Sequence, residues 1–159
     1  GSVVPIFKNF IDKGSKELPI TDVKMTRFWI TLEQAIDFVL KSFERMKGGE
    51  IFVPKIPSIK VTDLAKAMAP NLSHKIIGIR PGEKLHEKMC SVNEAYLTLE
   101  FKDHYVIKPS ITFFDHDVSY IKNKLKESGK LVKENFEYRS DTNSNFLSIE
   151  EIAKLLHIV

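Results

Sequence analysis

The sequence predicts an α/β fold, and three observations carry that prediction. Segments rich in β-branched and aromatic residues alternate with segments whose apolar residues recur at helical spacing. Two capping boxes, Thr31 with Gln34 and Ser148 with Glu151, mark helix starts. The strands are short and the helices few, which excludes a complete doubly wound sheet within these 159 residues. That length suits one domain to one and a half.

In chain order, the first helix starts near Pro5, a residue favoured at the first helical position, and carries Val4, Phe7 and Ile11 on one face. Gly14 stops it. Leu18-Pro19-Ile20 reads as a short edge strand, since proline cannot donate to a ladder. Thr26 to Ile30 reads as a second strand. The capped helix from Thr31 presents Leu32, Ala35, Ile36, Val39, Phe43 and Met46 as one apolar stripe, and Gly48-Gly49 ends it. Glu50 to Pro54 is a buried strand. Thr62 is expected to cap a short helix through Ala69, which Pro70 stops. His74 to Ile79 is a strand, followed by Arg80-Pro81-Gly82 and a helix from near Glu83. Tyr96 to Phe101 with His104 to Ile107 reads as a hairpin, Val118 to Glu127 as a helix, and Asn135 to Arg139 as extended chain. The last helix runs from the Ser148 cap through Leu155.

Composition narrows the function classes. The net charge is +3, with lysines and glutamates interspersed, so no basic field large enough for nucleic acid is present, though small anions are favoured. No apolar run approaches the roughly 20 residues of a membrane helix. The single cysteine, Cys90, excludes an internal disulfide and suits a reducing compartment, the cytoplasm. The chain opens Gly1-Ser2 without an initiator methionine. That start reads as a cleavage scar or as native sequence, and in both cases as part of a longer protein.

A self-contained active site is hard to find. The seven glycines form neither G-x-G-x-x-G nor a P-loop, so neither type of nucleotide loop is present. His86 and Cys90 would share a helix face, but two ligands do not make a metal site. Asp115-His116-Asp117 reads as a solvated loop. Tyr120 and Lys124 match Y-x-x-x-K, the spacing that places a lysine beside a catalytic tyrosine. The match is short, sits in a lysine-rich segment and has no cofactor motif before it, so it is rejected as catalytic. Two arginines stand out. Arg27 lies inside an apolar strand, where a charge needs a partner or a ligand. Arg80 follows a strand's carboxyl end and precedes a glycine turn, a favoured ligand position in α/β sheets. A planar guanidinium suits phosphate, and it equally suits a neighbouring carboxylate. The residues leave both readings open.

Several segments, in order, carry a family resemblance. They are Gly1-Ser2-Val3-Val4-Pro5, Pro19-Ile20-Thr21-Asp22, Met25-Thr26-Arg27-Phe28-Trp29-Ile30, Gly49 to Pro57, and Gly78-Ile79-Arg80-Pro81-Gly82-Glu83-Lys84-Leu85-His86-Glu87. With Asn143 to Leu156 near the end, the chain resembles the carboxyl-terminal part of the inverting UDP-N-acetylglucosamine 4,6-dehydratases. These are extended short-chain dehydrogenases/reductases of the CapD-like polysaccharide-biosynthesis group, acting toward pseudaminic acid in flagellin glycosylation or toward capsule sugars.

The resemblance implies an extended short-chain dehydrogenase/reductase fold of which residues 1–159 supply the sugar-nucleotide-binding region. The NADP-binding Rossmann half, the catalytic Asp-Lys pair and the catalytic tyrosine would lie outside this chain, which alone would be inactive. The apolar stripe Leu32, Ile36, Val39 and Phe43 would pack against the absent sheet and stand exposed here. The implied reaction is a redox-neutral loss of water with inversion at C5 and NADP as hydride carrier, in a cytoplasmic homo-oligomer that binds neither nucleic acid nor membrane. Carried over residue by residue, Arg27 and Arg80 would neutralise the UDP diphosphate and Glu83 would accept from the ribose hydroxyls. Ile20 and Thr21 would lie near the uracil, and His86 would stand behind the site. The alternatives are a fragment of another sugar-nucleotide epimerase or dehydratase, and a non-catalytic interaction module that reuses the half-fold.

Overall fold

A computed structural model describes residues 3–111 and 118–156. The Asp115-His116-Asp117 segment lies outside the described residues. The chain divides into two compact units: one comprises Gly1–Trp29, Pro57–Glu87 and Ser140–Val159, the other Ile30–Ile56 and Lys88–Arg139.

The first unit holds α1 (Val3–Asp12), β1 (Glu17–Ile20), β2 (Thr26–Phe28), β4 (Ser58–Lys60), α3 (Val61–Met68), β5 (Ser73–Ile76) and α4 (Ile149–Leu155). β1 pairs with β5 in parallel, Leu18 opposite His74 and Ile20 opposite Ile76. β2 pairs with β4 antiparallel, Arg27 opposite Ile59. Alternation along β1 turns Leu18 and Ile20 into the core, where they join Phe7, Ile59, Leu64 and Ile152. Each such side chain, fully buried, contributes about 1.5–3 kcal/mol. Gly14 ends the α1 turn with φ +68°, as its position after the helix requires. The Ser148–Glu151 capping box is formed at α4.

The second unit holds α2 (Leu32–Arg45), β3 (Ile51–Pro54), β6 (Lys88–Cys90), a 3-10 turn (Val92–Leu97), β7 (Thr98–Glu100), β8 (His104–Ile107), β9 (Lys130–Leu131) and β10 (Tyr138–Arg139). Its four-stranded sheet runs β3-β8-β7-β9, antiparallel throughout, and β6 pairs with β10. The Thr31–Gln34 capping box is formed at α2. That helix buries Arg45 and half-buries Ala35, Phe38 and Ser42, while the apolar stripe faces out: Leu32 is 73% and Phe43 66% exposed.

Several local expectations give way, to contacts from elsewhere in the chain, to local hydrogen bonds or to a glycine's backbone. Helix α3 starts at Val61, not after a Thr62 cap, because β4 runs straight into it and the Val61 N–H donates to Met25 O at 3.0 Å. The strand expected over His74 to Ile79 covers Ser73–Ile76, because Gly78 takes φ +82°. No helix starts near Glu83. Its carboxylate instead accepts from the Arg80 N–H at 3.3 Å and from the Thr21 hydroxyl at 3.4 Å, closing a turn. Val118 to Glu127 is not helical: the Asn123 side chain binds the Glu127 N–H at 3.0 Å and holds a turn with Lys126 at φ +64°.

A buried polar cluster sits in the second unit. His104 is fully buried, stacked on Phe101 at 4.6 Å between centroids, with its Nδ1 donating to Asp103 at 2.7 Å. Its Nε2 is buried without a hydrogen bond among the described residues. Burial pushes the His104 pKa down, outweighing the nearby carboxylates, so the ring stays neutral. Burial alone would raise Asp103, but hydrogen bonds from His104 and Arg45 hold it at about 2. The unfolded chain takes up a proton near the ordinary histidine value of about 6.5 and the folded chain does not, so stability falls as pH drops below it. Denaturant titrations at pH 7, 6 and 5 are expected to show this loss, and His104→Phe, which keeps the stacked ring, to flatten it. An unchanged slope in that variant would refute the assignment.

Candidate functional site

A cavity of about 330 Å³ opens in the first unit, lined by Pro19, Thr21, Arg27, Trp29, Arg80 and Glu83 among others. Alternation along β1 presents Pro19 to it, with Thr21 just beyond the strand, while Ile20 points into the core. Of the five residues carried over from sequence, the structure therefore brings Thr21, Arg27, Arg80 and Glu83 together. The Ile20 side chain is fully buried elsewhere, and its carbonyl accepts the Ile77 N–H at 2.9 Å.

The two arginines differ in how they are held. The Arg27 Nη1 donates to Thr26 O at 2.7 Å and Leu85 O at 3.1 Å, and its Nη2 donates to Lys84 O at 2.9 Å. Its Nε lies 3.6 Å from Glu87. The Arg80 side chain is exposed and makes no ion pair or hydrogen bond among the described residues. Arg80 meets Glu83 only through its backbone N–H, so the two do not form an ion pair. Arg80 is thus a cation available to a ligand, with a carboxylate placed beside it by the turn.

Phe28 and Trp29 also line the cavity, and sequence reasoning assigned them no role. The signal was present as two aromatics directly after Arg27. His86 lies behind the site, its Nδ1 2.8 Å from the Thr26 hydroxyl. Cys90 is not on a helix with it but in β6, where burial pushes its thiol up to about 12 and leaves it inert. Tyr120 is buried and donates to Gly48 O at 2.8 Å, a structural bond. Among the described residues, no cluster of metal-ligating side chains occurs and no helix is long and apolar enough to cross a membrane.

Residues 1–109 match the family model described as polysaccharide biosynthesis protein. The chain belongs to that family. Within this family, it is 59% identical, over 99% of its length, to a UDP-N-acetylglucosamine 4,6-dehydratase (inverting) of Campylobacter jejuni, covering 47% of that protein. It is 38% identical, over 98% of its length, to a UDP-glucose 4-epimerase of Rickettsia rickettsii, covering 45% of it. An X-ray structure of Pen from Bacillus thuringiensis superposes with a TM-score of 0.75 at 32% identity, across 99% of this chain and 46% of that one. The chain thus spans about half the length of the curated relatives it matches. The resemblance read from the motifs is borne out. The fold is mixed α/β and corresponds to part of an extended short-chain dehydrogenase/reductase.

Proposed function

We propose that this chain supplies the UDP-binding part of an inverting UDP-N-acetylglucosamine 4,6-dehydratase. The observation that carries this reading is the cavity where an unpartnered Arg80 stands beside Glu83 and Thr21. A diphosphate wants a planar cation, and ribose hydroxyls want a carboxylate acceptor. In this reading Arg80 meets the diphosphate, Glu83 the ribose, and Thr21 with the Ile20 backbone flanks the uracil, while Arg27 lines the same cavity. The names of the two relatives agree on a UDP-sugar and differ in the reaction, so UDP is the shared element. The 59% identity favours the dehydratase over the epimerase.

The described residues do not fit a dinucleotide, since no strand of this chain leads through a glycine-rich turn into a helix. NADP would be held elsewhere in the full-length enzyme. This chain's part is positioning: a firmly held UDP sets where the hexose lies. The product would be a UDP-4-keto-6-deoxy-hexosamine, of the kind consumed in pseudaminic acid synthesis.

The test is calorimetric titration of the full-length protein with UDP and ADP, with product analysis on UDP-N-acetylglucosamine. Saturable UDP binding that ADP does not displace, with a 4-keto-6-deoxy product, is expected. A C4-epimerised product would move the assignment to the epimerases, and absence of UDP binding would end it.

A further inference from the structure

The loop that carries Arg80 and Glu83 hangs between two anchors. At its start, the Ile77 N–H donates to Ile20 O at 2.9 Å, extending the β1–β5 pairing by one bond. At its end lies the segment Lys84–Glu87, and β2 grips that segment from both faces. On the cavity face, the Arg27 guanidinium takes the carbonyls of Lys84 and Leu85 and approaches the Glu87 carboxylate. In the plane of the strand, the Thr26 N–H takes Leu85 O at 3.1 Å. On the opposite face, the Thr26 hydroxyl lies 2.8 Å from His86 Nδ1 and 2.7 Å from the Ser140 hydroxyl. Ser140 Oγ accepts the Glu87 N–H at 2.9 Å, and the Ser140 N–H donates to Glu87 O at 2.9 Å.

The hydroxyl relay has one fully satisfied direction. The Glu87 N–H can only donate, so Ser140 Oγ accepts at that end. The Ser140 O–H then passes to Thr26, and the Thr26 O–H to His86 Nδ1. Reversing the order leaves the Ser140 proton without an acceptor inside a fully buried site, and buried donors are costly to strand. His86 is thereby set to carry its proton on Nε2, which faces Asp141 at 3.8 Å. Between the anchors, Gly78 and Gly82 hold φ +82° and +80°, conformations that other residues rarely adopt. The loop's own backbone therefore turns at both ends, and its register is set by the anchors.

We propose that Thr26, Arg27 and Ser140 are positioning residues for nucleotide binding: they latch Lys84–Glu87 from both faces of β2 and so place Arg80 and Glu83 over the cavity. This deepens, and rests on, the reading of the cavity as a UDP site. It also reassigns Arg27, whose donors serve backbone carbonyls, from a phosphate cation to a loop fastener. Thr26 and Ser140 do not line the cavity, so any effect they have on a nucleotide is relayed through the loop.

The experiment compares uridine and UDP affinities of the full-length protein with those of Thr26→Val, Thr26→Ser, Ser140→Ala and Arg27→Lys. Hydrogen exchange of the Gly78–Glu87 segment is followed without ligand. Loss of either hydroxyl, which takes both of its relay bonds with it, is expected to weaken both ligands by about 3- to 10-fold in Thr26→Val and Ser140→Ala, and to speed exchange of the loop. Thr26→Ser, which keeps the hydroxyl, restores both. Arg27→Lys weakens uridine and UDP by the same factor, whereas a direct phosphate contact would spare uridine. Unchanged affinities in Thr26→Val and Ser140→Ala beside a lowered melting point would overturn the latch, as would a UDP-only loss in Arg27→Lys. If the unaltered protein fails to bind UDP, the UDP reading itself falls.

Discussion

Replacing Arg80 by alanine in the full-length protein is expected to weaken UDP binding about 10- to 150-fold, the worth of one charge-assisted hydrogen bond of about 1.5–3 kcal/mol. The melting temperature should hardly move. The Arg80 guanidinium is exposed and makes no bond among the described residues, so its removal costs the fold little. Arg80→Lys should recover part of the affinity, because a point charge cannot reproduce the bidentate fork. Uridine, which has no phosphate, should bind Arg80→Ala as it binds the unaltered protein. Calorimetric titration beside a melting curve checks this. Unchanged UDP affinity with a lowered melting point would show that Arg80 serves the turn and not a ligand.

Arg45→Ala is expected to destabilise the protein by about 2–4 kcal/mol, somewhat under the figure for a fully buried pair because both carboxylates reach water. Arg45 is 4% exposed at the end of α2. Its Nε and Nη2 donate to Glu127 at 2.8 and 3.0 Å, and its Nη2 also donates to both Asp103 oxygens, at 3.1 and 2.9 Å. Its carbonyl accepts the Lys124 N–H at 3.1 Å. One side chain thus ties the helix to the β7–β8 turn and to the Asn123–Glu127 turn. Removing it leaves two carboxylates near each other without their cation and empties the volume of its stem. Arg45→Met refills that volume and should recover part of the loss. Chemical denaturation measures both variants. A loss under about 1 kcal/mol for the alanine variant would mean that the cluster contributes little beyond solvated pairs.

The same cluster shows where sequence reading ran out. Arg45 looks like an ordinary basic residue in the last turn of a helix, and its partners lie 58 and 82 residues along the chain. The Ser91–Glu94 capping box is legible in principle, and it opens a 3-10 turn, Val92–Leu97, that takes the first two residues of the strand expected over Tyr96 to Phe101. At the cavity, the motif residues Arg27, Arg80 and Glu83 could be picked out, but how each is held could not. For Arg27 the sequence leaves a ligand and a carboxylate partner equally open, because a strand's neighbours are invisible in one dimension. Ile20 and Thr21 are adjacent in sequence and end on different sides of β1, which only the burial of Leu18 and Ile20 decides.

By itself the sequence determined the α/β class, the caps of α2 and α4, the glycine stop of α1 and the family. These rest on hydrogen bonds and spacings within about four residues, or on motifs that need no geometry to be recognised. The tertiary structure alone decided the strand pairings, the turns at Glu83 and Asn123 in place of helices, the core placement of Ile20, and the division of labour between Arg27 and Arg80. Most of those depend on a partner brought in from a distant segment, and the Asn123 turn on a side chain that competes locally with a helix. A polar group takes the partner that folding delivers to it, and that partner is not written beside it in the chain.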